Sequence, residues 1–138
     1  MDFQFLVNFL DQDLKIKDGD DHAFYAQYNK SDNIQHVIIY YSDNRPIGCG
    51  AIKPYETNIA EIKRMFVMPA SRGQGVALKI LYALEAWAKE LNFQECILET
   101  GKKQIEALKL YPKAGYTIIP NYGQYQNMEN SVCMKKTL

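Results

Sequence analysis

The segment from Asn58 to Thr100, "NIAEIKRMFVMPASRGQGVALKILYALEAWAKELNFQECILET", limits the fold more than any other part of the chain. Its first stretch, residues 58–68, is rich in β-forming residues and is closed by Pro69. Residues 75–91 then carry Val76, Ile80, Leu81, Leu84, Trp87, Ala88 and Leu91 on one helical stripe, with Lys79, Glu85, Lys89 and Glu90 off it. Asn92 suits a helix C-terminal cap. "ECILET" follows as a strand with an apolar centre. Strand, helix and strand in this order predict a mixed α/β sheet with at least one crossover.

The flanks fit such a sheet. Phe3, Leu6, Val7, Leu10 and Leu14 repeat at helical spacing, "KDGDD" reads as a polar turn, and "HAFYAQYN" as a short helix. "QHVIIYYSDNRPIGCGAIKPY" reads as two strands around a turn at Asp43 to Pro46. "KKQIEALKLYPKAG" predicts a second helix that weakens at Pro112 and stops at Gly115. "YTII", a polar and aromatic loop "PNYGQYQNMEN", and a final strand "SVCMKK" complete the chain.

The 138 residues suit one domain, 1–138. Sixteen basic residues balance sixteen acidic ones, which argues against nucleic acid as a partner. Cys49, Cys96 and Cys133 have neither zinc-like spacing nor an even count, so no metal is expected and buried free thiols are. No basic leader or bilayer-length apolar run is present, so no membrane partner and a reducing, cytoplasmic setting are expected.

"PASRGQGVAL" precedes the clearest helix. A helix start offers unpaired amides and partial positive charge, and glycines let an anion touch the backbone. The turn lacks the Lys-Ser or Lys-Thr of a P-loop. Gly73-Gln74-Gly75 fits half a dinucleotide fingerprint, with Glu95 or Glu99 as the acidic residue on the next strand, but Leu78 stands where a third glycine belongs. A third reading is the pyrophosphate seat of coenzyme A. The Arg72-x-x-Gly75-x-Ala77 spacing resembles the acetyl-CoA loop of the GNAT superfamily of N-acetyltransferases. "ALKLYPKAGY" is similar to that family's Leu-Tyr-x-x-x-Gly-[Phe/Tyr] segment, and "EIKRMFVMP" and "ILET" also look like family counterparts.

The resemblance implies a mostly antiparallel twisted sheet with a splayed parallel pair in its middle, flanked by helices. It also implies an acetyl-CoA-dependent N-acetyltransferase acting on a primary amine of a small molecule or peptide, by direct attack in a ternary complex. By resemblance, Phe66 and Val67 offer backbone groups to the pantetheine arm. Arg72, Gly73, Gln74, Gly75, Val76 and Ala77 surround the pyrophosphate, and Gln104 adds a side-chain contact. Tyr111 matches the family's proton donor and Glu61 its base, while Glu99 reads as a structural residue at a strand end. His22, Tyr25, Tyr28, Tyr122 and Tyr125 are candidates for an acceptor pocket, and His36 is a weaker alternative base. No acidic cluster marks a polyamine site, and no basic cluster marks an acidic substrate. The family's habit of forming homodimers implies a dimer. A non-catalytic acyl-CoA-binding or sensing module, which would keep the turn but lack a working acid, stands as the alternative.

Overall fold

The computed structural model describes residues 2–28 and 34–138, with the side chains of Gln27 and Tyr28 outside the described set. Helix α1 (Asp2–Asp18) runs four residues past the apolar repeat, since Leu14 is not its last inward position: Asp18 is buried too. The expected polar turn is a single 3₁₀ turn, Gly19–Asp21, which leads directly into α2 (His22–Tyr28). Strands β1 (His36–Ser42) and β2 (Arg45–Glu56) form a hairpin, with Asp43 and Asn44 both at positive φ in its two-residue turn.

Next come β3 (Ile59–Val67), α3 (Val76–Glu90), β4 (Glu95–Gly101), α4 (Ile105–Lys113), β5 (Thr117–Ile119) and β6 (Ser131–Thr137). The sheet order is β1-β2-β3-β4-β6-β5. All neighbours are antiparallel except β3 and β4, the pair joined through α3. Helix α3 packs Ile80, Leu81 and Leu84 on one face of the sheet with Ile52, Ile62, Leu98 and Met134, and Tyr111 of α4 joins this core. On the other face, Leu6, Leu10 and Leu14 of α1 meet Cys49 and Phe66. Tyr25 of α2 packs there with Tyr125 and Cys133.

Helix α3 corrects one expectation. Glu85 is buried rather than off the apolar stripe. Its carboxylate accepts hydrogen bonds from Tyr116 and Lys136, each at 2.8 Å, which satisfy the charge at the edge of the core. The three cysteines are buried free thiols, as expected, and burial pushes Cys49 and Cys96 up to about 12 and Cys133 to about 11.

Candidate active site

The parallel pair is short. Ile59, Ala60 and Glu61 face Glu95, Cys96 and Ile97, and pairing stops there. Beyond it β3 stays on β2 as far as Val67, and β4 stays on β6 as far as Gly101. A bulge helps to part them. Between the Cys49–Phe66 and Ala51–Lys63 pairs, Arg64 and Met65 stand against Gly50 alone, and Arg64 adopts φ 58°. An extra residue bends its strand, and β3 bends out of reach of β4. The result is a notch in the middle of the sheet.

Two cavities meet at the notch, sharing Leu10, Met65 and Gln104 in their walls. The larger, about 560 Å³, runs between the start of α3 and the exposed side of α4. Its floor holds Phe66 and Val67, and its end is the turn from Ser71 to Ala77. Gly73 and Gly75 both sit at φ 80°, and a Cβ on either would meet nothing within 4 Å. These glycines serve the backbone conformation and keep the turn's surface open. Gly75 is the N-cap of α3 and makes no side-chain cap, so the first amides of the helix face the groove without a protein partner from that residue. Arg72 binds the turn to its surroundings: its Nε donates to Val67 O at 2.8 Å, its guanidinium lies over Phe66, and Nη1 lies 3.6 Å from Glu106 across the groove. Gln74 is exposed and lines neither cavity.

The smaller cavity, about 70 Å³, is polar and is walled by Asp18, Tyr25, Glu61, Lys63, Arg64, Glu99, Thr100, Tyr111 and Tyr125, among others. Glu61 Oε2 accepts the Tyr122 hydroxyl at 2.6 Å, and its Oε1 lies 3.9 Å from Lys63 Nζ. Burial lowers the Lys63 ammonium, against the pull of Glu61. Glu99 Oε2 accepts from Ser131 Oγ at 2.7 Å, and that hydroxyl also meets Tyr25 at 2.7 Å. Burial carries the Glu99 carboxyl up to about 7, against the Ser131 bond and the charge of Lys63. Burial, with the charge of Glu99, raises Tyr111 and so keeps it a neutral phenol. Thr100 Oγ1 on β4 and Arg64 Nε on β3 are buried with no hydrogen-bond partner among the described residues.

The notch therefore gathers Glu61, Tyr111, Tyr25 and Tyr125 from the residues anticipated in sequence. Tyr122 enters only through its bond to Glu61. His22 lines neither cavity, and His36 packs edge-on against Trp87, 4.9 Å away. The side chain of Tyr28 lies outside the described residues. Glu99 was read as a strand-end residue, yet it stands in the cavity wall. Its signal was weak but present: it alternates with the core residue Leu98 and so shares a face with Ile97 and not with α3.

Comparison with known proteins gives three findings. The model of the acetyltransferase (GNAT) family matches residues 4–116. The uncharacterised N-acetyltransferase YjgM of Escherichia coli is 30% identical over 109 residues, which is 77% of this chain and 64% of that one. The chain spans less than two thirds of the length of the curated relatives it matches. Among solved structures, a candidate acyl-CoA N-acyltransferase of Klebsiella pneumoniae shares 36% identity at TM-score 0.72, covering 84% of this chain and 85% of its own. An acetyltransferase of Elizabethkingia anophelis, solved with acetyl-CoA bound, has the same fold at TM-score 0.65 and 20% identity, covering 74% of this chain and 75% of its own.

Proposed function

The chain belongs to the GNAT acetyltransferase family, and on that premise we propose that residues 1–138 form one domain that transfers an acetyl group from acetyl-CoA to a primary amine. The observation that carries this reading is that the two cavities share Leu10, Met65 and Gln104 in their walls: the glycine turn at the start of α3 lines one, and Tyr111 with the carboxylates of Asp18, Glu61 and Glu99 lines the other. The pyrophosphate sits on the amides of Gly75, Val76 and Ala77, within the turn that Arg72, Gly73 and Gln74 complete. The pantetheine arm lies along the free edge of β3 at Phe66 and Val67, like an added strand, with Gln104 beside it. A thioester carbonyl reaching the notch offers an acceptor to Arg64 Nε. The acetyl-CoA in the Elizabethkingia relative supports the same donor here.

The incoming amine must lose a proton before it can attack. Glu61 and Glu99 stand in the same wall, with different surroundings. Glu61 is held by Tyr122 and Lys63, so it fixes the ammonium electrostatically or takes its proton through water. Glu99, near neutrality, is the better-matched base at physiological pH. Nitrogen bonds to the thioester carbon, the carbon–sulfur bond breaks, Tyr111 gives a proton to the departing thiolate, and the proton the new amide nitrogen sheds restores the phenol. Calorimetry with acetyl-CoA and a thiol-release assay over a panel of amines test the reading. Binding together with release from at least one amine is expected, and a protein that binds no acetyl-CoA sinks the proposal. Tyr111→Phe should slow release about 10²-fold or more with acetyl-CoA binding kept; unchanged turnover removes Tyr111 as the acid. Binding with no turnover from any amine favours a sensing module instead.

A further inference from the structure

Alternation along β4 sorts the wall of the small cavity into two faces. Leu98 is paired with Met134, and both lie in the α3 core with Tyr111. Two residues on, Thr100 is paired with Val132, which packs against that same core. Glu99, between them, is paired with Cys133, which packs with Tyr25 and Tyr125 on the opposite face. Glu61 shares the face of Glu99: it bonds Tyr122, which packs against the Tyr25 cluster, while its neighbour Ile62 lies in the α3 core. Pairing of β3 with β4 ends at Glu61 and Ile97, so both faces open into one cavity. Glu61 and Glu99 reach it from one face, Thr100 and Tyr111 from the other. Thr100 is 3% exposed, and its Oγ1 has no hydrogen-bond partner among the described residues. A buried hydroxyl without a partner costs stability, and valine has nearly the same shape without that cost. The hydroxyl is therefore suited to a group that enters the cavity.

Resting on the acetyltransferase reading, we propose that Thr100 is a catalytic residue whose hydroxyl donates a hydrogen bond to the sulfur of the departing CoA, beside Tyr111. The two faces suit the two halves of acyl transfer. On the carboxylate face the amine loses its proton, and its nitrogen bonds to the thioester carbon. The carbon–sulfur bond breaks with its electron pair going to sulfur, on the hydroxyl face. Tyr111 gives that sulfur a proton, and Thr100 keeps its own and only shares it. Tyr116 meets the Tyr111 ring edge-on, centroids 5.7 Å apart, and so holds the phenol on that face. A thioester sulfur accepts a hydrogen bond weakly and a thiolate strongly, so the Thr100 bond strengthens as charge develops. It acts on the transition state more than on the bound donor.

The test measures kcat, acetyl-CoA affinity by calorimetry and melting temperature for the wild type, Thr100→Val and Thr100→Ser. Thr100→Val should lower kcat about tenfold or more, the worth of a hydrogen bond to a charged group. It should leave acetyl-CoA affinity nearly unchanged and melt no lower than the wild type, since an unmatched hydroxyl has gone. Thr100→Ser keeps the donor and should retain most of kcat. Unchanged kcat in Thr100→Val overturns the proposal, as does a loss that Thr100→Ser shares in full. A fall in acetyl-CoA affinity that matches the fall in kcat also overturns it, and assigns the hydroxyl to holding the donor instead. If Thr100→Val does not fold, Thr100→Ala carries the same expectation for kcat and affinity. Wild-type turnover that the variants leave untouched sinks this proposal alone. A wild type that releases no CoA with any amine sinks the acyl-transfer reading and this proposal with it.

Discussion

Glu99 carries the clearest consequence at the scale of a residue. Its carboxyl rises from 4.5 to about 7 on folding. Between those values the folded chain holds a proton that the unfolded chain has lost. Stability therefore falls as pH rises through that window, and the full penalty is present above it. Glu99→Gln should raise the melting temperature at pH 8 and leave it unchanged below about pH 4, a difference scanning calorimetry can read. The same substitution should lower kcat/KM by about 10²-fold or more and abolish its rise through about pH 7. A pH–rate profile identical to the wild type would return the base to Glu61. Tyr111 and Glu61 could be singled out in sequence because they sit in matching motifs. Glu99 was only faintly marked: alternation with Leu98 put it on the face of Ile97, but nothing local says what meets it there.

At the scale of elements, local chemistry was well written in the chain. Helix α4 ends in a Schellman motif, with Tyr116 N donating to Tyr111 O and Gly115 N to Pro112 O. That stop, legible from Pro112 and Gly115, fixes the last turn that carries Tyr111. Asn92 takes φ 71° after α3, as its cap position required. The closeness of α3 to β2 was not legible. A Cβ on Gly50 would lie 2.5 Å from Met65 Sδ, 2.8 Å from Leu84 Cδ1 and 2.9 Å from Ile80 Cγ2. Gly50→Ala should cost about 1–3 kcal/mol in urea denaturation. A loss within about 0.5 kcal/mol would show that those three side chains can all give way. Glu85 was misread for a related reason: the helical stripe does not announce that Tyr116 and Lys136 will arrive from later in the chain to satisfy it.

Across the whole molecule, the notch depends on elements far apart in the chain. Helix α1 lies over the face of the sheet where the cavities meet, and Leu10 lines both of them. One polar tie to the sheet is Asp11 with Arg64, whose side chain is 2% exposed. Asp11→Ala would leave a buried guanidinium short of a partner. It should destabilise the fold by about 1–3 kcal/mol, and Asp11→Ala with Arg64→Met should recover part of that loss, since removing both charges leaves none unmatched. Chemical denaturation of the three variants measures both. No recovery in the double variant would show that Asp11 acts through something other than its pairing with Arg64.

The sequence alone determined the strand–turn–helix–strand unit, the glycine turn before α3 and the helix that carries Tyr111, because each rests on neighbours a few residues apart: periodicity, glycines at special φ, a proline and a cap. It also held the family resemblance, through two motifs of fixed spacing. The tertiary structure decided the small polar cavity. No run of acidic residues marks the cavity, yet Asp18, Glu61 and Glu99, spread over the chain, line it together. Burial there changes what a carboxyl does, since desolvation penalises charge only where the fold has removed water. That property belongs to the assembled wall and not to any segment of it.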